Sequence, residues 1–262
     1  MHTPPCPVCQ SATRLLDVVD FTKSCEELRG KYYVPIGLAI YYALCQSCHF
    51  CFAPAMHQWT PEDFKRHVYN DEYIIFDPDY REIRPNAQAN LLLTNFQDIA
   101  PHRTHLDYGS GNGSLSSRLR AHGWASTAWD PFSEQTPSIT TLGSFDLITA
   151  FEVFEHVPDI AGLMDNLSLL STDHSLIFFS TALSDGHIHP TKRLDWWYAA
   201  PRNGHISLFS RQSLARLAAR AQFNYVSLSD NFHIFFKNLP AWARHLIPES
   251  PPSMERSRSI WV

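Results

Sequence analysis

Between residues 101 and 237, short apolar runs alternate with segments of helical period. Arg103 to Tyr108 reads as a strand and Ser114 to His122 as a helix stopped by Gly123. Trp124 to Trp129 and Phe145 to Phe151 follow as strands. Asp159 to Leu170 is helical, with Ile160, Leu163, Met164 and Leu167 on its inward face. Leu176 to Thr181 is a strand, and Arg211 to Ala221 a helix capped by Ser210. Phe223 to Leu228 and Phe232 to Phe236 flank a Ser229-Asp230-Asn231 turn and read as a hairpin. Strands alternating with helices predict an α/β fold with a mostly parallel sheet covered on both faces.

The alternation stops outside these limits. Residues 1–57 hold all six cysteines and read as a separate small module. Residues 58–100 form a polar, Pro-punctuated helical connector or lid. Within it, Thr60-Pro61-Glu62-Asp63 is a helix start, and Leu92, Leu93, Phe96 and Ile99 share one helical face that can cover the sheet edge or a ligand. Residues 238–262 form a Pro-rich tail.

Composition narrows the class. The 262 residues carry a net charge of −5 with 44% hydrophobic and 18% charged residues, which suits a globular protein. Without a basic block, nucleic acid is not an expected partner. No apolar run of about 18 residues appears, so no membrane span is expected. No secretory signal is read at the start, and a cytoplasmic location is expected.

The chemistry concentrates where the first strand of the alternation meets its helix. Asp107-Tyr108-Gly109-Ser110-Gly111-Asn112-Gly113 places an acid before three alternating glycines. Glycines permit sharp turns and close approach of backbone to ligand. The Asp107 carboxylate can accept hydrogen bonds from the ammonium group of S-adenosylmethionine (SAM). A dinucleotide site is the rival, but its fingerprint needs a third glycine at position 114, where Ser stands. Asp130, which with Pro131 ends the second strand 23 residues after Asp107, can accept the ribose hydroxyls. Leu142-Gly143 lies where an adenine ring could be sandwiched. The strand ending at Phe151 runs into Glu152 and Glu155-His156-Val157, a polar cluster at its carboxyl end.

These three motifs, in this order, resemble the class I SAM-dependent methyltransferase family over residues 100 to 237. The resemblance implies a Rossmann-like seven-stranded, mostly parallel sheet. It also implies SAM bound by Asp107, Gly109, Ser110, Gly111, Asn112, Gly113, Asp130, Pro131 and Phe151. The segment from Asp130 to Phe145 is short for that family, so its third strand is expected to be vestigial.

Cys6-Pro7-Val8-Cys9 and Cys45-Gln46-Ser47-Cys48 are two Cys-x-x-Cys knuckles separated by 35 residues. Four thiolates suit one tetrahedral Zn2+, with His49 or Cys51 as substitute ligands. Disulfides are the alternative, disfavoured in a reducing compartment. Such a site is closed to chemistry and implies a folding or docking role. The pairing resembles bacterial methyltransferases with an N-terminal zinc-ribbon-like module.

The insert between Thr181 and Ser210 gathers His187, His189, Trp196, Trp197, Tyr198 and His205. Its Trp-Trp-Tyr run can wall an acceptor pocket or anchor the loop on a core. Asp185, His187 and His189 have metal-ligand chemistry without a sure third partner. Methyl transfer needs alignment first, and a hydroxyl or carbon acid also needs a base. His156 and His205 are the candidate bases, and Glu152 a polar wall or acceptor contact. The expected function is methylation of a small-molecule acceptor, sugar or natural product. Two alternatives stay open: a protein or peptide acceptor recruited through the cysteine module, and a non-catalytic binding module.

Overall fold

The computed structural model describes residues 3–96, 102–133 and 136–247. In chain order the strands and α-helices are β1 (Thr13–Asp20), β2 (Ala39–Cys45), β3 (Cys51–Phe52), α1 (Pro61–His67), α2 (Tyr73–Phe76), α3 (Ile83–Asn95), β4 (Thr104–Tyr108), α4 (Ser114–Ala121), β5 (Ala125–Trp129), β6 (Phe145–Phe151), α5 (Ile160–Leu169), β7 (Ser171–Ser180), β8 (Ser207–Leu208), α6 (Arg211–Arg220), β9 (Asn224–Ser227) and β10 (Phe232–Phe236). The chain forms two compact units. The first gathers Met1–Ile83, Phe154–Met164 and Ala182–Leu217; the second gathers Arg84–Val153, Asp165–Thr181 and Ala218–Val262. No helix among the described residues is long and apolar enough to cross a membrane.

The second unit is built on a six-stranded sheet of order β5-β4-β6-β7-β10-β9. The pairs β4–β5, β4–β6 and β6–β7 are parallel, whereas β10 runs antiparallel to both β7 and β9. The expected seventh strand is absent among the described residues. Trp129 and Phe145 are joined instead by a turn and the short 3-10 segment Ile139–Thr141, because the connection lacks the apolar run that a buried strand needs. Leu92 of α3 and Phe96 just beyond it pack with Leu115 and Leu119 of α4 and with Leu147, Phe151, Phe178 and Ile234 of the sheet. Each fully buried side chain of this size stabilises by about 1.5–3 kcal/mol. The expected apolar face of α3 thus covers the sheet; its fourth member, Ile99, lies outside the described residues.

The first unit has a four-stranded antiparallel sheet of order β1-β2-β3-β8. Its core includes Tyr42, Leu44, Met56, Phe64, Trp196, Tyr198 and Leu208. Trp196 and Tyr198 are therefore anchors of the insert. The insert also supplies β8, which pairs Leu208 with Cys51 and Ser207 with Phe52. Thr60 caps α1 as expected, in a reciprocal box with Asp63, and the Ser210 hydroxyl accepts from the Ser213 N–H at the start of α6.

Candidate functional site

In the second unit β4 delivers the chain into the glycine loop at the carboxyl ends of the parallel strands, where open α/β sheets bind ligands. The N–H groups of Gly109 and Ser110 both donate to the Trp129 carbonyl, at 2.8 and 3.1 Å, tying the loop to the end of β5. Asp130 Oδ2 accepts from the Gly111 N–H and Oδ1 from the Phe132 N–H, each at 2.8 Å. Asn112 Oδ1 accepts from the Ser114 N–H at 3.1 Å, at the start of α4. Gly109 stands at φ 74°, and a Cβ there would meet Val153 Cγ2 at 2.5 Å, so only glycine lets the loop lie this close to the end of β6.

Asp107 is 4% exposed. Its Oδ1 accepts from Thr149 Oγ1 at 3.4 Å, while Oδ2 has no hydrogen-bond partner. Burial pushes the carboxyl up to about 7; the Thr149 hydrogen bond opposes the shift and the charge of Asp130 adds to it. Behind it runs a polar chain that sequence reasoning missed. Ser126 Oγ lies 2.9 Å from Ser116 Oγ and 2.7 Å from His105 Nδ1, and His105 Nε2 meets Thr149 Oγ1 at 3.0 Å. Burial holds His105 down to about 3, so its imidazole is neutral. The available signal was polar side chains at positions of β4, β5 and β6 that the alternation buries.

At the end of β6, Glu152 adopts φ 55°, which is strained for a non-glycine residue. Ser180 braces it: its Oγ accepts from the Glu152 N–H and donates to Glu152 Oε1, both at 2.9 Å. The Phe151 ring stands edge-on to Phe178 and Phe232 in the core. Pro131 is exposed, Leu142 is half-buried and Gly143 exposed.

The methyltransferase-domain family matches residues 80–228, more than half of the chain. The chain belongs to the methyltransferase-domain family. A segment of 103 residues, 39% of the chain, is 25% identical to the ubiquinone biosynthesis O-methyltransferase of Colwellia psychrerythraea (strain 34H / ATCC BAA-681) and spans 42% of that protein, less than half its length. Similar solved structures include the 1,6-didemethyltoxoflavin-N1-methyltransferase of Burkholderia thailandensis. It is 15% identical with a TM-score of 0.45, and the match covers 78% of this chain and 96% of that one. The magnesium protoporphyrin IX methyltransferase of Synechocystis PCC 6803 is also 15% identical, with a TM-score of 0.40 over 66% of this chain and 92% of that one.

In the first unit, Cys6, Cys9, Cys45 and Cys48 bring their sulfurs within 4.8 Å of one another. Cys6–Cys48, Cys9–Cys45 and Cys9–Cys48 stand 3.6, 3.5 and 3.5 Å apart. Four sulfurs about 2.3 Å from one zinc define tetrahedral edges of about 3.8 Å, so the donor set fits the metal closely. No disulfide links them. The two knuckles repeat one backbone design. The Cys6 N–H donates to the Ser11 carbonyl and the Cys45 N–H to the Phe50 carbonyl, and Gln10 and His49, each just after a second cysteine, stand at φ 60° and 59°. The N–H groups of Ser47 and Cys48 donate to Cys45 Sγ, as thiolate ligands require. The contact with Cys48 pulls the Cys6 thiol down to about 6, while the same contact and burial push Cys48 upward. The Ser210 hydroxyl donates to the Cys48 carbonyl and Arg216 to Ser47 Oγ, fixing the second knuckle from the start of α6.

Also in the first unit, the rings of His156 and His205 lie 4.8 Å apart. His205 Nδ1 is 2.8 Å from the Tyr198 carbonyl. Asp185 accepts from the Arg211 N–H at the start of α6, His187 stacks on Trp196 and His189 bonds to the Gly186 carbonyl. The loop acid and its His-x-His pair thus hold the insert's own structure.

Proposed function

We propose that the chain binds SAM at the glycine loop and transfers its methyl group to a small-molecule acceptor. The observation that carries the reading is the buried Asp107 carboxylate, with one oxygen lacking a partner, beside a loop held open by Gly109 and fixed by Asp130. A buried carboxylate oxygen without a partner is costly, and an ammonium group arriving there relieves that cost.

Asp107 receives the ligand's charged amino-acid end. Gly109, Ser110, Gly111, Asn112 and Gly113 shape the backbone around it, and Phe151 backs the site from the core. Asp130 takes the ribose hydroxyls on the lone pairs that Gly111 and Phe132 leave, with Pro131 setting the turn. Bound SAM supplies an electrophilic methyl on a sulfonium sulfur. Glu152, held in a strained backbone, is a polar wall. His156 and His205 are the proposed proton acceptors for a hydroxyl or carbon acid. The four cysteines hold Zn2+ in a structural role. In domain terms the reading assigns residues 1–57 to the cysteine module, 58–100 to the connector, 101–237 to the SAM domain and 238–262 to the tail.

Titration calorimetry of the zinc-loaded full chain with SAM is the direct test. Binding at micromolar concentration that Asp107→Asn removes supports the site, and absence of heat in the wild type overturns it. A screen of phenols, sugars and heterocycles for methylated product then tests the acceptor class.

A further inference from the structure

The polar chain behind Asp107 has a direction, and its middle member sets it. Thr149 Oγ1 stands at a junction: His105 Nε2 lies 3.0 Å away, and the Leu106 carbonyl and Asp107 Oδ1 each lie 3.4 Å away. On the far side of the ring, His105 Nδ1 is 2.7 Å from Ser126 Oγ, itself 2.9 Å from Ser116 Oγ. All five side chains are buried. Each hydroxyl has one proton to give. A neutral imidazole has one ring proton, so one of its nitrogens donates while the other accepts. In a buried chain of this kind, the orientation of one member fixes that of the next.

Two arrangements satisfy the chain. With the ring proton on Nε2, His105 donates to Thr149 Oγ1. The Thr149 proton then points to Asp107 Oδ1 or the Leu106 carbonyl, and Nδ1 accepts from Ser126. With the ring proton on Nδ1, the Thr149 proton turns to Nε2 and a lone pair of Oγ1 faces Asp107. This second arrangement suits a protonated Asp107, which can donate to Oγ1; against a carboxylate it sets lone pair against lone pair. The hydroxyls of Ser126 and Ser116 rotate to serve either case.

We infer that His105 is a positioning residue of the methyl-donor site: its ring proton sits on Nε2 when Asp107 is ionised, turning the Thr149 hydroxyl onto Oδ1, and on Nδ1 when Asp107 is protonated. This role rests on SAM binding at Asp107. The ligand's ammonium group meets Oδ2, which has no hydrogen-bond partner, and holds the carboxyl ionised, while His105 secures the other oxygen from behind through Thr149. In passing between the two states the imidazole loses one ring proton, gains another and stays neutral, and Asp107 releases one proton to solvent. The surroundings suit this part. The imidazole faces Ser126 of β5, Thr149 of β6 and the Trp124 ring, which stands perpendicular to it at 5.7 Å. Burial holds His105 down to about 3. Burial pushes Asp107 up to about 7; Thr149, and Ser116 and Arg120 of α4, oppose the shift, and Asp130 adds to it. The exchange of tautomers therefore falls where Asp107 titrates and the imidazole does not.

The test is the state of the two His105 ring nitrogens in the zinc-loaded full chain with isotope-labelled histidine. Long-range proton–nitrogen NMR tells a protonated ring nitrogen from a bare one, and His105→Gln identifies the signals among the 14 histidines. Without SAM the proton is expected on Nε2 at about pH 9 and on Nδ1 at about pH 5, either side of the Asp107 titration. Saturating SAM should move the midpoint down by about one pH unit or more, as linkage requires when the ligand binds the ionised form about tenfold more tightly. Thr149→Val keeps the branching and removes the hydroxyl. It should uncouple the tautomer from pH and weaken SAM binding about tenfold, whereas His105→Gln, whose amide can still donate to Thr149, should bind within about threefold of the wild type. One tautomer across the whole pH range in a chain that binds SAM overturns this role alone. Absence of SAM binding by calorimetry overturns it together with the donor site. Should His105→Gln lose its native far-UV dichroism, the Thr149→Val spectrum assigns the signals and the wild-type titration decides.

Discussion

The glycine loop and the cysteine centre solve opposite problems with the same backbone device. Both rely on residues at positive φ that turn the chain tightly around a site: Gly109 in one, Gln10 and His49 in the other. In the cysteine centre the turns close four sulfurs on a single point, and the N–H of each knuckle's first cysteine bonds within its own knuckle. Beside the glycine loop a buried carboxylate keeps one oxygen, Oδ2, without a hydrogen-bond partner. A closed donor set suits an ion that stays, whereas an unsatisfied one suits a ligand that comes and goes.

The contrast breaks most visibly if the metal is taken away. Structural zinc sites contribute on the order of 10 kcal/mol to the folded state. Cys6→Ser or Cys48→Ser is therefore expected to abolish zinc retention and to lower the melting temperature by tens of degrees, read by elemental analysis and calorimetry. Substitution in the glycine loop should act on the ligand and spare the fold. Asp107→Asn removes a buried charge, so the melting temperature at pH 8 should hold or rise. SAM affinity should meanwhile fall about 100-fold, as expected when one charge-assisted hydrogen-bonded contact worth about 3 kcal/mol is lost. A variant that loses affinity only because it unfolds would contradict this account of the carboxylate.

The same contrast separates what the sequence could and could not reveal. β6 and β10 have the bounds that their apolar runs predicted, because both are buried along their length. The knuckles were readable because cysteine spacing is a chemical signal. The first half of β7 was not: Ser171 to His174 is polar and largely exposed, and only backbone pairing and the bond from Ser175 Oγ to the Phe145 carbonyl make it a strand. β8 is two residues long and exists through its pairing with β3 across more than 150 positions, which no local period can show.

Two milder changes sharpen the picture of the open site. Gly109→Ala places a methyl group 2.5 Å from Val153 Cγ2 at a left-handed backbone position. It should cost about 1–3 kcal/mol in stability, measured by urea titration, and weaken SAM binding as the loop is pushed off β6. Proton competition gives a finer test. The folded-state pKa of Asp107 is raised from 3.8 to about 7. Its contribution to stability is therefore full below about pH 4 and is lost as pH rises through 7. Binding of the ligand's cationic group needs the ionised form, so affinity should run the other way. It should weaken about fivefold between pH 7 and pH 6, as the ionised fraction falls from about one half to about one tenth, and by nearly tenfold per unit below that, and Asp107→Asn should flatten the profile.

The smallest expected effects test how each region holds its strained backbone. Glu152 is braced by a single hydroxyl, so Ser180→Ala should leave its N–H unsatisfied, with a cost of about 1 kcal/mol softened by partial access to water. Gln10 and His49 are held instead by the knuckle hydrogen bonds and, in the metal-loaded protein, by the ligands beside them. If zinc offsets their strain, Gln10→Gly and His49→Gly should each stabilise the loaded chain by only about 0.5–1 kcal/mol, the ordinary gain from relieving a left-handed residue. A larger gain would show that the knuckle turns are imposed from outside. The cysteine centre would then be held in shape by its surroundings, as Glu152 is by Ser180, and the distinction between the self-contained closed site and the braced open one would fail.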